Sequence, residues 1–261
     1  MKYTLGIISL CIMLILNLMV HVSAKKMDSI DDHVLFEVRM YSYPGDGETP
    51  SKGSELLPRV KDIIFAEEHA HGGLGCKFKI SVPQFEPTFF PVAKIINDFF
   101  FELLNEVKDE RYHFYELCKK NNAHGFFDLY FPYSYSDEKY ISILSIESRY
   151  AGGNRTWHLP KAYNFDLITG RFVEIHDVFD GQEADILDRI FSLLETFLQD
   201  QDGWHEHFFH LFREEIIKNK YDTRNFFLGN ETLTIFYPMG EIAPYGAGIL
   251  YFEIQRNLLD F

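Results

Sequence analysis

Three histidines stand close together in "WHEHFFH" (204–210). On a helix His207 and His210 share a face, with Glu214 one turn further on. Zinc needs three or four converging ligands of this kind. The His-Glu-x-x-His spacing of zinc proteases is not met, because the required position after His205-Glu206 holds Phe209. A second pair lies in "HAHGG" (69–73), where two histidines two apart point to opposite sides of a helix. Ser142, Ser145 and Ser148 could supply a nucleophile, but they sit in a strand-like stretch without a nucleophile elbow. Glu67-Glu68 and Glu214-Glu215 read as solvated helix faces. A metal-dependent hydrolase would need a cleft with a bound ion or a shifted acid, and these residues form no coherent set. The expectation is therefore no metal, no cofactor and no catalytic group.

A longer stretch, "YAGGNRTWHLPKAYNFDLITGRF" (150–172), is rich in glycine and small polar residues. Gly152-Gly153 offers backbone N–H groups to an anion, but phosphate loops need a strand-to-helix junction with Lys or Ser/Thr in place. The residues after Gly153 have an extended rather than a helical pattern, so the pair is read as supplying positive φ between two strands. Asn164, Asp166 and Gly170 are read as turn formers, with Asp and Asn bonding nearby backbone N–H groups and Gly taking the left-handed position. Trp157 is expected to be buried. The better binding candidate is "GEIAPYGAG" (240–248), where Pro244 and Tyr245 occupy a glycine-bounded loop between strands.

The elements that must position these residues are set by periodicity. Strands are expected at 34–43, 75–85, 125–136, 139–151, 156–167, 225–238 and 248–259. Helices are expected at 55–70 after Pro58, at 91–120, at 183–200 and at 204–219. The 91–120 helix has the strongest pattern, with Ile95, Ile96, Phe99, Phe100, Leu103, Leu104 and Val107 recurring at three and four. Strand neighbours are joined by short turns and helices are inserted between them. That predicts an α+β fold, an antiparallel or mixed sheet covered by helices.

Residues 1–24 read as a secretory signal peptide: Lys2, an apolar run from Leu5 to Val20, then Val22-Ser23-Ala24 as a small-x-small cleavage site. No second apolar span appears, so no membrane contact is expected beyond that segment. The full chain carries a formal charge of −14, and cleavage makes it one unit more negative by removing Lys2. Such a surface repels nucleic acid and favours a basic partner or simple solubility. Cys76 and Cys118 remain after cleavage, and an even count in an exported chain permits one disulfide. It would close a loop of about 40 residues and contribute about 3–4 kcal/mol.

"YISILSIESRYAGGNRTWHLPKAYNFDLITGRFVEIHDVF" is similar to the start of the RsiV-like C-terminal domain found in many exported bacterial proteins. The matching positions are Tyr150, Gly152, Gly153, Asn164, Phe165, Asp166, Gly170, Asp177 and Phe179. "LTIFYPMGEIAPYGAGILYFEI" resembles the closing part of the same domain, and the resemblance spans 123–261. Asn154-Arg155 stands where family members often carry Ala-His. The 25–122 part is weakly similar, around "INDFFFELLNEV", to the small domain that often precedes it. The family supplies the extracellular sensor of anti-sigma factors, which binds lysozyme, and accompanies peptidoglycan deacetylases, where the chemistry belongs to the neighbour. The resemblance implies an exported, periplasmic, cell-surface or secreted binding module. Its expected partner is a basic wall-associated protein such as lysozyme, or peptidoglycan directly through aromatic stacking.

Overall fold

The computed structural model describes residues 38–43, 59–88, 90–179, 182–199 and 218–259. The signal segment, the loop after residue 43, and His205, His207, His210 and Glu214 of the expected 204–219 helix lie outside the described residues.

Two sheets are built. One is wholly antiparallel and joins β1 (Val38–Tyr43), β9 (Ile249–Gln255), β8 (Thr232–Tyr237) and β7 (Phe226–Leu228), in that order. The other runs in sequence order through β2 (Arg59–His71), β3 (Leu74–Phe85), β4 (Gly125–Ser136), β5 (Tyr140–Tyr150) and β6 (Trp157–Asp166). It is antiparallel except between β3 and β4, which are parallel. A parallel pair needs a long crossover, and here it contains α1 (Ala93–Asp109) and α2 (Arg111–Asn121). A short α3 (Ile175–Val178) and α4 (Glu183–Gln199) come after β6. The layout is the α+β arrangement expected, with one sheet antiparallel and the other mixed.

Two expected elements differ. Residues 59–71, read as part of a helix, are a strand. Gly72 and Gly73 both take positive φ, 58° and 84°, and close a two-residue hairpin between His71 and Leu74. Only glycine adopts two successive left-handed positions without strain, and a turn of that hand matches strand twist. The turn offers residues 59–71 the long β3 edge, which outweighs local helix propensity. The single helix read over 91–120 is two, parted at Glu110, whose N–H bonds back three residues to the Val107 carbonyl at 3.1 Å. α2 then ends as a Schellman motif: Asn122 takes φ 48°, its N–H bonds Lys119, and the Ala123 N–H bonds Cys118.

Each face of the five-stranded sheet has its own core. α1 presses Ala93, Ile96, Phe100 and Leu104 onto Phe78, Ile80, Phe127, Leu129, Phe131, Ile141 and Ile143. Each large side chain so buried contributes about 1.5–3 kcal/mol. The opposite face sends Tyr133, Tyr135, Tyr140 and Leu144 into a second core, shared with the four-stranded sheet and α4. β4 serves both cores through one irregularity. Tyr130 pairs with Ile146 but Tyr133 pairs with Leu144, so an extra residue enters at Phe131-Pro132. A bulge of one residue turns the alternation over. Phe127, Leu129 and Phe131 therefore face the helices, whereas Tyr133 and Tyr135 face the second sheet. Pro132 has no N–H to lose from the ladder.

A buried polar network crosses between the sheets. The Ser142 hydroxyl donates to Asn164 Oδ1 and accepts the Leu228 N–H at 2.8 Å. The Asn164 amide donates to the Phe226 carbonyl at 2.8 Å, and Tyr133 OH donates to the Leu228 carbonyl at 2.8 Å. Three side chains of one sheet thus satisfy the backbone of β7. Asn164→Ala leaves the Phe226 carbonyl without its donor and the Ser142 hydroxyl without its acceptor in a dry interior. We expect a loss of about 2–4 kcal/mol in urea unfolding, with Ser142→Ala costing less.

Candidate functional site

The loop between β8 and β9 brings Tyr245 to the edge strand β6. Ile242 and Ala243 are buried and anchor one side of the loop, while Pro244 and Tyr245 stand exposed at its tip. Pro244 begins a 3-10 turn over Tyr245–Ala247, closed by the Ala247 N–H on the Pro244 carbonyl at 2.8 Å. Gly240 makes the tip possible. It has φ 80°, and a Cβ there would stand 2.8–3.0 Å from the Tyr245 ring. The ring lies where any larger residue would put its side chain.

Against that ring stands Trp157, the first residue of β6. The centroids are 5.2 Å apart and the planes 78° apart, an edge-to-face pair. The Arg155 guanidinium lies 5.6 Å from the Tyr245 centroid, in cation–π range. The sequence places Trp157 in the core, but the structure does not. It is 46% exposed, at the start of the outer strand of its sheet. Tyr245 is 38% exposed. Sequence reasoning singles out Pro244 and Tyr245 but not Arg155 and Trp157, which lie some 90 residues away in the chain. The only signal is the presence of a Trp and an Arg beside the glycine pair.

That pair holds the other side of the rim. Gly152 and Gly153 have φ 95° and 109°. A Cβ on Gly152 would lie 2.8 Å from Ala123 Cβ and 3.1 Å from Asn121 Cβ, so the loop before Arg155 rests against the end of α2. Asn121 donates to the Ala151 carbonyl at 2.6 Å and fixes the same junction. Asp166 shapes the next turn by accepting the Ile168 and Thr169 N–H groups at 2.9 and 2.6 Å and the Thr169 hydroxyl at 2.8 Å. Partial burial works against its charge, but these hydrogen bonds prevail and hold its carboxyl below the ordinary range. Gly170 completes that turn at φ 72° beside Ile95. Asn164, read as a turn residue, lies inside β6 as the inter-sheet clamp described above.

A polar row crosses four strands of the same sheet. Lys79, Asp128, Ser148 and His158 are successive partners on β3, β4, β5 and β6. Ser148 Oγ and His158 Nδ1 are 2.7 Å apart. Burial lowers the imidazole pKa and favours its neutral form. Burial raises the Asp128 carboxyl, partly opposed by Lys79, and its Oδ1 has no hydrogen-bond partner among the described residues. A catalytic relay needs the carboxylate on the imidazole. Here Ser148 stands between them, so Asp128 and His158 are two strand spacings apart, about 10 Å. Ser148 is only 5% exposed.

One group that sequence reasoning did not weigh has spacing suited to a metal ion. Among the described residues, Glu174, His176 and Glu183 bring ligand atoms within 4.8 Å of one another. His176 Nδ1 lies 3.6 Å from Glu174 and 3.7 Å from Glu183, and its Nε2 lies 3.8 Å from Asp177. These are the contacts of a partly exposed cluster of acids around one imidazole at the start of α3. Cys76 and Cys118, the expected disulfide pair, are buried neighbours on β3 and α2 and stand as free thiols.

Residues 176–257 match the model of a protein family of unknown function, DUF3298. No curated protein matches the chain. A DUF3298 family protein from Pseudomonas aeruginosa PAO1 is 15% identical over 78% of this chain and 93% of its own, with a TM-score of 0.52, and shares the fold. A DUF3298 member from Bacteroides fragilis NCTC 9343 is 16% identical over 80% of this chain and 94% of its own, at a TM-score of 0.47.

The lowered His158 pKa makes a stability prediction. The unfolded chain takes the proton near pH 6.5, and the folded chain takes it only at lower pH. Stability is therefore full above about pH 6.5 and falls as pH drops through the folded-state value. Urea midpoints between pH 7.5 and 5 should decline less in His158→Asn than in the parent chain.

Proposed function

We propose that this protein is an exported binding module of the cell envelope that captures a basic, wall-associated protein of the lysozyme kind. The contact is the rim of Tyr245, Trp157 and Arg155. The observation that carries this reading is the composition and exposure of that rim. Trp, Tyr and Arg are the residue types that dominate binding energy at protein interfaces. Here an exposed Trp and Tyr lie edge to face beside an Arg, held by two glycine-dependent loops. The formal charge of −14 supplies long-range attraction for a basic partner. The RsiV-like resemblance of 123–261 agrees with such a partner, and the signal-like segment agrees with export.

A second reading is direct binding of peptidoglycan glycan. It is favoured by the open part of Trp157, since aromatic rings stack on the apolar faces of sugars. The two readings separate on one experiment. The chain is tested against lysozyme and against purified wall sacculi, at low and at physiological salt. The proposal expects lysozyme capture that weakens several-fold as salt rises. Trp157→Ala and Tyr245→Ala should each weaken it by tenfold or more, about 1.4 kcal/mol. Binding to sacculi alone, insensitive to salt, selects the glycan reading. No lysozyme binding at low ionic strength removes the first.

A further inference from the structure

Cys76 and Cys118 are 42 positions apart in the chain, but the sheet register makes them neighbours. Cys76 on β3 is the direct partner of Gly125 on β4. A Cβ built on Gly125 would stand 2.3 Å from Cys118 Sγ. The sulfur of Cys118 thus fills the place where residue 125 would carry its side chain. Neighbouring strands lie about 4.8 Å apart, so Cys118 Sγ lies within reach of the Cys76 side chain. Cys76 Sγ also points at the Ala123 carbonyl at 3.7 Å. A cavity of about 70 Å³ adjoins both residues, with His69, Tyr115 and Ala123 in its wall, and gives the Cys76 sulfur room to turn. Gly125 cannot be enlarged without expelling Cys118, which ties the glycine to the cysteine pair.

We infer that Cys76 and Cys118 close a disulfide that fastens α2 to β3. In the reaction a disulfide oxidant gives up its S–S bond and leaves as two thiols. The two cysteines lose two electrons and two protons to it and gain one S–S bond. The bond braces more than the helix. Cys118 lies just before the Schellman turn whose Asn121 and Ala123 hold Gly152, and Gly152 opens the loop that carries Arg155 to Tyr245. Burial, with the neighbouring thiol second, pushes the Cys118 thiol up to about 12. Cys118 is therefore nearly all thiol at neutral pH. Uncatalysed exchange in the folded chain is slow and quickens about tenfold per pH unit.

The full chain is unfolded, refolded in equimolar reduced and oxidised glutathione, quenched in acid and alkylated with N-ethylmaleimide in denaturant. Refolding removes the barrier of burial. Peptide mapping should recover the Cys76 and Cys118 peptides joined and two hydrogens lighter, with Cys11 outside the link. The oxidised chain should melt roughly 6–12 °C above the same chain kept in reductant, and Cys76→Ala/Cys118→Ala should not respond to reductant. Recovery of both residues as maleimide or separate glutathione adducts overturns the inference, and so does a linked chain whose melting is unchanged. Neither result bears on lysozyme or glycan capture, which is read by binding.

Discussion

Two sheets of this protein meet through a short strand that has little backbone partnership of its own. β7 has only three residues and one strand neighbour in its sheet, β8. Its remaining backbone groups face a dry interior, where an unmet N–H or carbonyl is costly. Ser142, Asn164 and Tyr133 meet them from the other sheet. Apolar packing alone would let the sheets slide over one another, because it has no direction. Three directed hydrogen bonds set one registration, and the loops at the far edge inherit it.

The rim at Tyr245 depends on that registration. Tyr245 belongs to the four-stranded sheet's last connection, whereas Trp157 begins the edge strand of the other sheet. A small shift between the sheets would part the rings. The rim also depends on glycine at two points, for different reasons. Gly240 yields its side-chain space to the Tyr245 ring. Gly152 combines a left-handed backbone with a close approach to Ala123. The exposed aromatic pair is thus held by rigid supports.

The polar row from Lys79 to His158 shows how a sheet can collect Asp, Ser and His without setting them in the order of a relay. Ladder geometry sets the order Asp, Ser, His at fixed spacing. Proton relay needs the imidazole between the other two. Here its neutral form, favoured by burial, meets the serine instead. The cluster at Glu174, His176 and Glu183 is different in kind: it joins one imidazole to several carboxylates near solvent.

Much of the fold was legible in the chain because the signals were local. Alternation marked β3 to β6 and β9, the period of α1 was plain, and Gly152, Gly153, Asp166 and Gly170 announced turns through their own backbone needs. The class of fold came from the order of those elements. Tertiary structure decided what depends on distant partners. Residues 59–71 became a strand because an open edge and two left-handed glycines outweighed their helical pattern. The odd-numbered aromatics of β4 were assigned to two different cores by a bulge that alternation does not reveal. Asn164 became a clamp rather than a turn because β7 arrived opposite it. Trp157 stayed at the surface because its strand became an edge. Hydrophobic periodicity records which residues avoid water, but the partner that covers each one is fixed only when the whole chain packs.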